Sequence, residues 1–391
     1  MFLGQIQKKN PRLMEAALQL HRSGVIPPSC FVIDLDAVAA NTRMLVQSAA
    51  QNGLSLYFIT KQVGFNPLFA REAVKNGIEK AVAVDWNEAF TLMENGVELG
   101  HIGHLVQIPD KYLGPLLRAK PEVITVFSVE KARRLSEVAQ AEGLQANVLL
   151  RVVDRKDYIY SGQEGGIALS DLERALDEIH SLPNITIAGV TAFPCTVFDS
   201  LKKAFVITNN LHTLCKAADL LAKRYSLEGL QLNVPGNSCC ATFPLIREYG
   251  ATHAEPGNAL TGTTPLHALC DQPEIPALIH VSEISHKSKD MAYCYGGGLY
   301  RRSSVDKALV GNDPASLKEA KVFAPDNTAI DYYVGLKPAA KGDFHVGDSV
   351  LWSSRAQIFV TRSSVAIVSG IQSGKPALDG IFNPFGQKVA Y

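Results

Sequence analysis

From Leu54 onward the apolar positions recur in one order: a short run rich in Val, Ile, Leu and Phe, a polar or glycine-bearing break, then ten or more residues at helical spacing. The short runs are Leu54–Thr60, Lys80–Val84, His101–Leu105, Glu122–Phe127, Asn147–Val153, Ile185–Thr191, Gly229–Val234 and Ala251–Glu255. Between them lie helical stretches such as Trp86–Asn95, Val129–Glu142, Ser170–Leu182 and Leu211–Tyr225. Strands that alternate with helices predict a parallel sheet with crossover helices. Eight such units in roughly 210 residues fit a TIM (β/α)8 barrel better than an open sheet of five or six strands.

The rhythm differs on either side of that region. Asn10 and Pro11 open a helix closed by Gly24, and Phe31–Leu35 reads as a strand feeding a helix from about Ala37 to Asn52. After Thr264 the short runs Glu274–Ile284, Ala292–Tyr295, Ala329–Val334, Ser349–Trp352 and Gln357–Ile371 are broken by Gly and Pro without a long amphipathic helix, which predicts an antiparallel β domain. The expected organisation is an N-terminal helix and strand at 1–36 packing with the β domain, a barrel at 37–268, and a C-terminal antiparallel β domain at 269–391.

Composition narrows the function classes. Lys plus Arg and Asp plus Glu both number 38, so there is no basic field to hold nucleic acid or an anionic membrane surface. No apolar run approaches the ~18 residues of a membrane span, and Met1–Asn10 is interrupted by Gln5, Gln7, Lys8 and Lys9, unlike a signal peptide. The seven cysteines lack zinc-ligand spacing and are odd in number, which fits reduced thiols in the cytoplasm and no metal site. The expected partner is a small molecule or a second copy of the chain.

In a barrel, functional groups belong where strands end. Lys61 follows the first strand, Pro235-Gly236-Asn237-Ser238 the seventh, and Glu255-Pro256-Gly257-Asn258 the eighth. Glycine loops with Ser or Asn at adjacent strand ends suit a phosphate, and a nearby lysine suits a Schiff base with a phosphorylated carbonyl compound.

Several segments together resemble the fold-type III pyridoxal-phosphate enzymes, which include alanine racemases, D-threonine aldolases and the ornithine and diaminopimelate decarboxylases. They are Phe31–Leu35, Tyr57–Lys61, Gly189–Phe193, Gly236–Ser238, Glu255–Gly262 and Tyr295-Gly296. More narrowly, Ile59-Thr60-Lys61-Gln62, Gly103–Pro109 and Tyr293–Gly298 are similar to the YhfX-like group of racemase-type proteins. The resemblance implies an amino-acid racemase that labilises the Cα proton through a Lys61 aldimine with pyridoxal 5′-phosphate. It assigns the pyridine nitrogen to Glu255, the phosphate to Gly236, Asn237, Ser238, Gly257 and Asn258, and the second base to Tyr295 of a partner subunit, hence a homodimer with shared active sites.

Cys294 is the alternative to Tyr295, matching a decarboxylase cysteine, and Gly296-Gly297-Gly298 would let this loop approach a neighbouring chain. His104, Arg151 and His253 are candidates for substrate binding or support, with Arg155 ranked below them. Many relatives carry a ring-stacking histidine where this chain has Ala192, which His104 or His212 would replace. The metal-binding His-x-Cys of D-threonine aldolases is missing near the C-terminus, so a metal-assisted aldolase or dehydratase is disfavoured. A decarboxylase and a non-catalytic cofactor-binding protein are the alternatives.

Overall fold

The computed structural model describes every residue except Met1, Ser226, Arg301, Ser304, Asn327, Lys341 and Tyr391. Internal contacts divide the chain into two units, Met1–Thr42 with Lys61–Glu72 and Asn258–Tyr391, and Arg43–Thr60 with Ala73–Gly257.

The second of these units is a closed parallel barrel. Its strands are Ser55–Ile59, Lys80–Ala83, Glu98–Ile102, Val123–Val126, Ala146–Val153, Ile185–Thr191, Gln231–Asn233 and His253–Ala254, and they follow one another around the ring in chain order. The last pairs with the first through His253↔Ser55 and Ala254↔Leu56, and Ile59 N donates to Pro256 O at 3.0 Å just beyond it. Helix starts carry their own caps: Asp85 accepts from Glu88 N ahead of Trp86–Glu94, and Ser128 accepts from Lys131 N ahead of Val129–Glu142. Gly143, at φ 63°, ends the latter in the left-handed conformation that a side chain would disfavour.

The third strand departs from expectation. It covers Glu98–Ile102 rather than His101–Leu105, because Gly103 leaves the strand at φ +77° and a Cβ there would lie 2.8 Å from Thr125 O. The apolar run at Leu105, Val106 and Ile108 is instead loop, so His101 sits inside the strand and His104 just past its end. Helices Pro67–Lys75 and Asp110–Arg118 follow the first and third strands, the second of them carrying Gly114 and Pro115.

The other unit centres on a closed antiparallel ring of Leu278–Ser288, Met291–Tyr295, Tyr333–Pro338, Lys318–Phe323, Lys307–Val310 and Ser349–Trp352. The sheet continues from Leu278–Ser288 to Cys30–Asp34, which pairs in parallel with Ser364–Ser369, and then to Ala377–Phe382 and Lys388–Val389. The ring encloses Ile284, Cys294, Val334, Leu336, Phe344 and Trp352, while helices Phe2–Lys9 and Pro11–Arg22 cover the outer face through Ile6, Leu13, Ala17 and Leu18. Strand Lys318–Phe323 reads as polar because only Ala320 is buried in the sequence Lys-Glu-Ala-Lys-Val-Phe. Among the described residues no helix is long and apolar enough to cross a membrane.

His280 lies wholly buried in this unit, stacked on Trp352 at 4.2 Å and edge-on to Phe31 at 4.7 Å. Burial drives its pKa down to about 3 from an ordinary 6.5. The unfolded chain therefore binds the proton that the folded chain refuses, and stability must fall as pH drops below 6.5. The expected loss from this group is about 2 kcal/mol between about pH 6.5 and 5. Denaturant midpoints of wild type and His280→Phe at those two pH values test it; the variant should show a smaller difference.

Candidate active site

At the end of the first barrel strand Thr60 is fixed by a buried carboxylate. Glu88 Oε1 accepts from Thr60 N at 3.2 Å and from Thr60 Oγ1 at 2.6 Å, and Glu88 Oε2 accepts from Val84 N at 2.7 Å. Glu88 thus ties the ends of the first two strands and holds the residue that precedes Lys61. Lys61 itself opens a 3-10 turn, Lys61–Val63, and is half-buried. Nothing in the sequence pattern singled out Glu88, whose position on a helix face reads as solvated.

Glu255 stands just past the eighth strand. His101 Nδ1 donates to its Oε1 at 2.6 Å and Asn233 Nδ2 donates to the same atom at 2.8 Å. Its backbone N donates to Ser238 Oγ at 3.0 Å, so the loops after the seventh and eighth strands are joined. Among the described residues Oε2 finds no hydrogen-bond partner although the side chain is 1% exposed. Burial alone would raise this carboxyl's pKa; the charges of His104 and His101 and the hydrogen bonds from His101 and Asn233 outweigh it and hold the group at about 2.

His101 Nε2 lies 2.5 Å from Thr125 Oγ1, so the imidazole spans the barrel interior between the fourth strand and Glu255. His104 is buried between His101, at 4.9 Å, and Phe193, at 5.6 Å. His212 does not share that position: it is exposed on helix Asn209–Tyr225 and packs on Tyr249 at 5.4 Å. Its place on the outer helix rules it out as a replacement for the histidine missing at Ala192.

Arg151 is 1% exposed rather than a surface residue. It donates to His104 O at 3.1 Å and Gln163 O at 2.8 Å and lies over the Phe127 ring at 4.7 Å. Its Nε has no hydrogen-bond partner among the described residues, and burial lowers its pKa to about 10. Arg155 is exposed in the following turn. His253 turns toward the start of the strands, stacking on Tyr57 at 5.2 Å, while Tyr57 Oη donates to Glu122, which also accepts from Lys80.

The loop after the seventh strand is built on backbone geometry. Gly236 has φ +127° and a Cβ there would meet Thr196 O at 2.9 Å; Asn237 has φ +46° and donates its amide to Thr196 O at 3.1 Å. Gly236→Ala is expected to cost about 1–3 kcal/mol, which thermal unfolding would measure. Gly257 closes the barrel unit; Asn258, in the other unit, lies with its amide between Ala356 O at 3.3 Å and Arg355 Nε at 3.1 Å.

Tyr295 is the last residue of its strand and 37% exposed, with Tyr333 beside it at 6.1 Å. Cys294 points the other way, into the core of the β ring, and burial pushes its thiol up to about 12. The glycines that follow are explained within their own unit. A Cβ at Gly296 would collide with Asp331 O and one at Gly298 with the His280 ring. Among the described residues no group of three or more His, Cys, Asp or Glu could hold a metal ion.

The family model described as alanine racemase, N-terminal domain, matches residues 33–265, and that described as YhfX-like, C-terminal domain, matches residues 279–378. The uncharacterized protein YhfX of Escherichia coli (strain K12) is 42% identical over 391 residues, covering 100% of both chains. Among solved structures, the alanine racemase of Clostridium difficile 630 in complex with cycloserine is 16% identical, with a TM-score of 0.64 over 91% of this chain and 98% of that one. The D-threonine aldolase of Filomicrobium marinum is 15% identical, with a TM-score of 0.63 over 92% and 95%. The D-threo-3-hydroxyaspartate dehydratase of Delftia sp. HT23 is 16% identical, with a TM-score of 0.65 over 90% and 97%. These three likenesses establish the shared fold.

Proposed function

Because this chain belongs to the alanine racemase N-terminal-domain family, in its YhfX-like branch, we propose that it is a pyridoxal-phosphate enzyme that labilises the Cα–H bond of an amino acid, acting as a racemase or epimerase. The observation that carries this reading is Glu255. Its Oε2 is buried, ionised and without a hydrogen-bond partner among the described residues, which suits a protonated pyridine nitrogen. The bound cofactor would supply an electron sink for the Cα carbanion.

The chain's own residues do the rest. Lys61 Nζ is the covalent anchor and, once released by substrate, the proton carrier on one face. Tyr295 Oη, exposed at its strand end, carries the proton on the other face and is contributed by a second copy, which makes the protein a homodimer with shared sites. Gly236, Asn237, Ser238, Gly257 and Asn258 gather the phosphate. Arg151 presents a buried guanidinium to an anionic oxygen of substrate or cofactor. His104 lines the same strand ends. An odd count of seven cysteines fits work in the cytoplasm.

A decarboxylase is the second reading, since a glutamate on the pyridine nitrogen serves that reaction as well. The burial of Cys294 in the β core removes its other support. Holoenzyme incubated with single-enantiomer amino acids in deuterated water separates the two. Loss of optical purity with deuterium at Cα is the expected result, and carbon dioxide release without racemisation would replace this reading with the second.

A further inference from the structure

We propose that His101, with Thr125 behind it, is a positioning residue that keeps Glu255 directed, through Oε2, at a cationic ring nitrogen. This rests on the reading of Glu255 given above. The three side chains form one buried line across the barrel: Thr125 Oγ1 to His101 Nε2 at 2.5 Å, and His101 Nδ1 to Glu255 Oε1 at 2.6 Å. All three side chains are shielded from water, with His101 fully buried and Thr125 1% exposed.

The direction of each hydrogen bond follows from the donor inventory. An ionised carboxylate only accepts, so His101 Nδ1 carries a proton toward Glu255. Thr125 Oγ1, a hydroxyl that can donate or accept, holds Nε2 from the far side of the ring. Asn233 Nδ2 supplies a second donor to Oε1 at 2.8 Å. With two donors on Oε1 the carboxylate cannot rotate without breaking both, and the lone pairs of Oε2 remain for one external donor. That oxygen, unpartnered among the described residues on a side chain 1% exposed, is the independent sign that a ligand donor belongs there.

The other groups facing Glu255 do not replace His101. His104 acts on it through charge, and His253, Tyr57 and Cys195 interact with it electrostatically, but the hydrogen bonds to its carboxylate oxygens come from His101 and Asn233. Removing the imidazole leaves Oε1 with Asn233 alone and frees the carboxylate to turn. The expected defect is therefore specific to recognition of the ring nitrogen and not to the phosphate or to the lysine.

The test uses two probes on full-length apoprotein: pyridoxal 5′-phosphate and its deaza analogue, in which carbon replaces the ring nitrogen. Dissociation constants are read from visible absorbance for wild type, His101→Leu, His101→Gln and Thr125→Val. Wild type should prefer the nitrogen-containing cofactor, and H101L should lose roughly tenfold of that preference while its affinity for the analogue stays unchanged. H101Q, which retains an N–H donor, should recover part of the preference, and T125V should lose less than H101L. Equal weakening of both probes in H101L makes His101 merely structural, and an unchanged preference removes it from the site; either overturns the proposal. Should H101L fail to fold by circular dichroism, T125V carries the test, and an unchanged preference in it overturns the proposal. A wild type that binds pyridoxal phosphate without preferring it over the analogue overturns the role of Glu255, and with it this inference.

Discussion

Lys61→Ala should abolish the visible absorbance of lysine-bound pyridoxal phosphate and lower turnover by at least about 10³-fold. Under the proposed function one substitution removes two roles, the covalent anchor and a proton carrier, and the alanine methyl group can perform neither. The fold should survive. Lys61 is half-buried at the start of a short turn, and the neighbouring Thr60 remains fixed by Glu88. An unchanged unfolding midpoint together with lost colour is the expected pair of results, and a small amine added to the variant should restore part of the turnover by standing in for the missing Nζ. Lys61→Arg should not rescue, because a guanidinium stays protonated at neutral pH.

Glu255→Ala should lower turnover by about 10²-fold or more, through loss of the charge that holds the ring nitrogen protonated. It should also destabilise the barrel by about 2–4 kcal/mol, because His101 and Asn233 lose their acceptor in a site closed to water. Glu255→Gln separates these effects: it preserves much of the packing while removing the charge, so turnover should fall with a smaller loss of stability.

The same carboxylate makes a pH prediction with a definite sign. Its folded pKa of about 2 lies below the ordinary 4.5, so its stabilising contribution is complete above pH 4.5 and disappears as pH falls toward 2. Denaturant unfolding over that window should show a shallower acid slope in E255Q than in wild type. The His280 contribution begins higher, below 6.5, so H280F and E255Q should flatten different parts of the curve.

The barrel was legible because its strands are short apolar runs separated by helices of regular period, and each buried strand advertises itself by composition. The third strand was misplaced by three residues because Leu105, Val106 and Ile108 continue the apolar pattern past Gly103, where the backbone has already turned. In the β domain, strands such as Lys318–Phe323 bury only one residue securely and carry charge at Lys318, Glu319 and Lys321, which hides them from a hydrophobicity reading.

The strand-end positions of Lys61, Gly236–Ser238 and Glu255 were legible because each lies near a glycine or proline break. His101, Asn233 and Glu88 were not, because a polar residue inside a strand or on a helix gains meaning only from its partner across the barrel. His101 and Glu255 are 154 residues apart in the chain. Arg151 was a candidate only by its place at the end of the fifth strand, and its burial over the Phe127 ring could not be read from the sequence.

The most direct test of the central claim is to reconstitute the protein with pyridoxal 5′-phosphate, fix the cofactor with borohydride, digest, and locate the added mass by peptide sequencing. The account predicts a single modified site at Lys61, displaced when a substrate amino acid is added before reduction. Modification of another lysine, or none on a protein that still turns over amino acids, would contradict it.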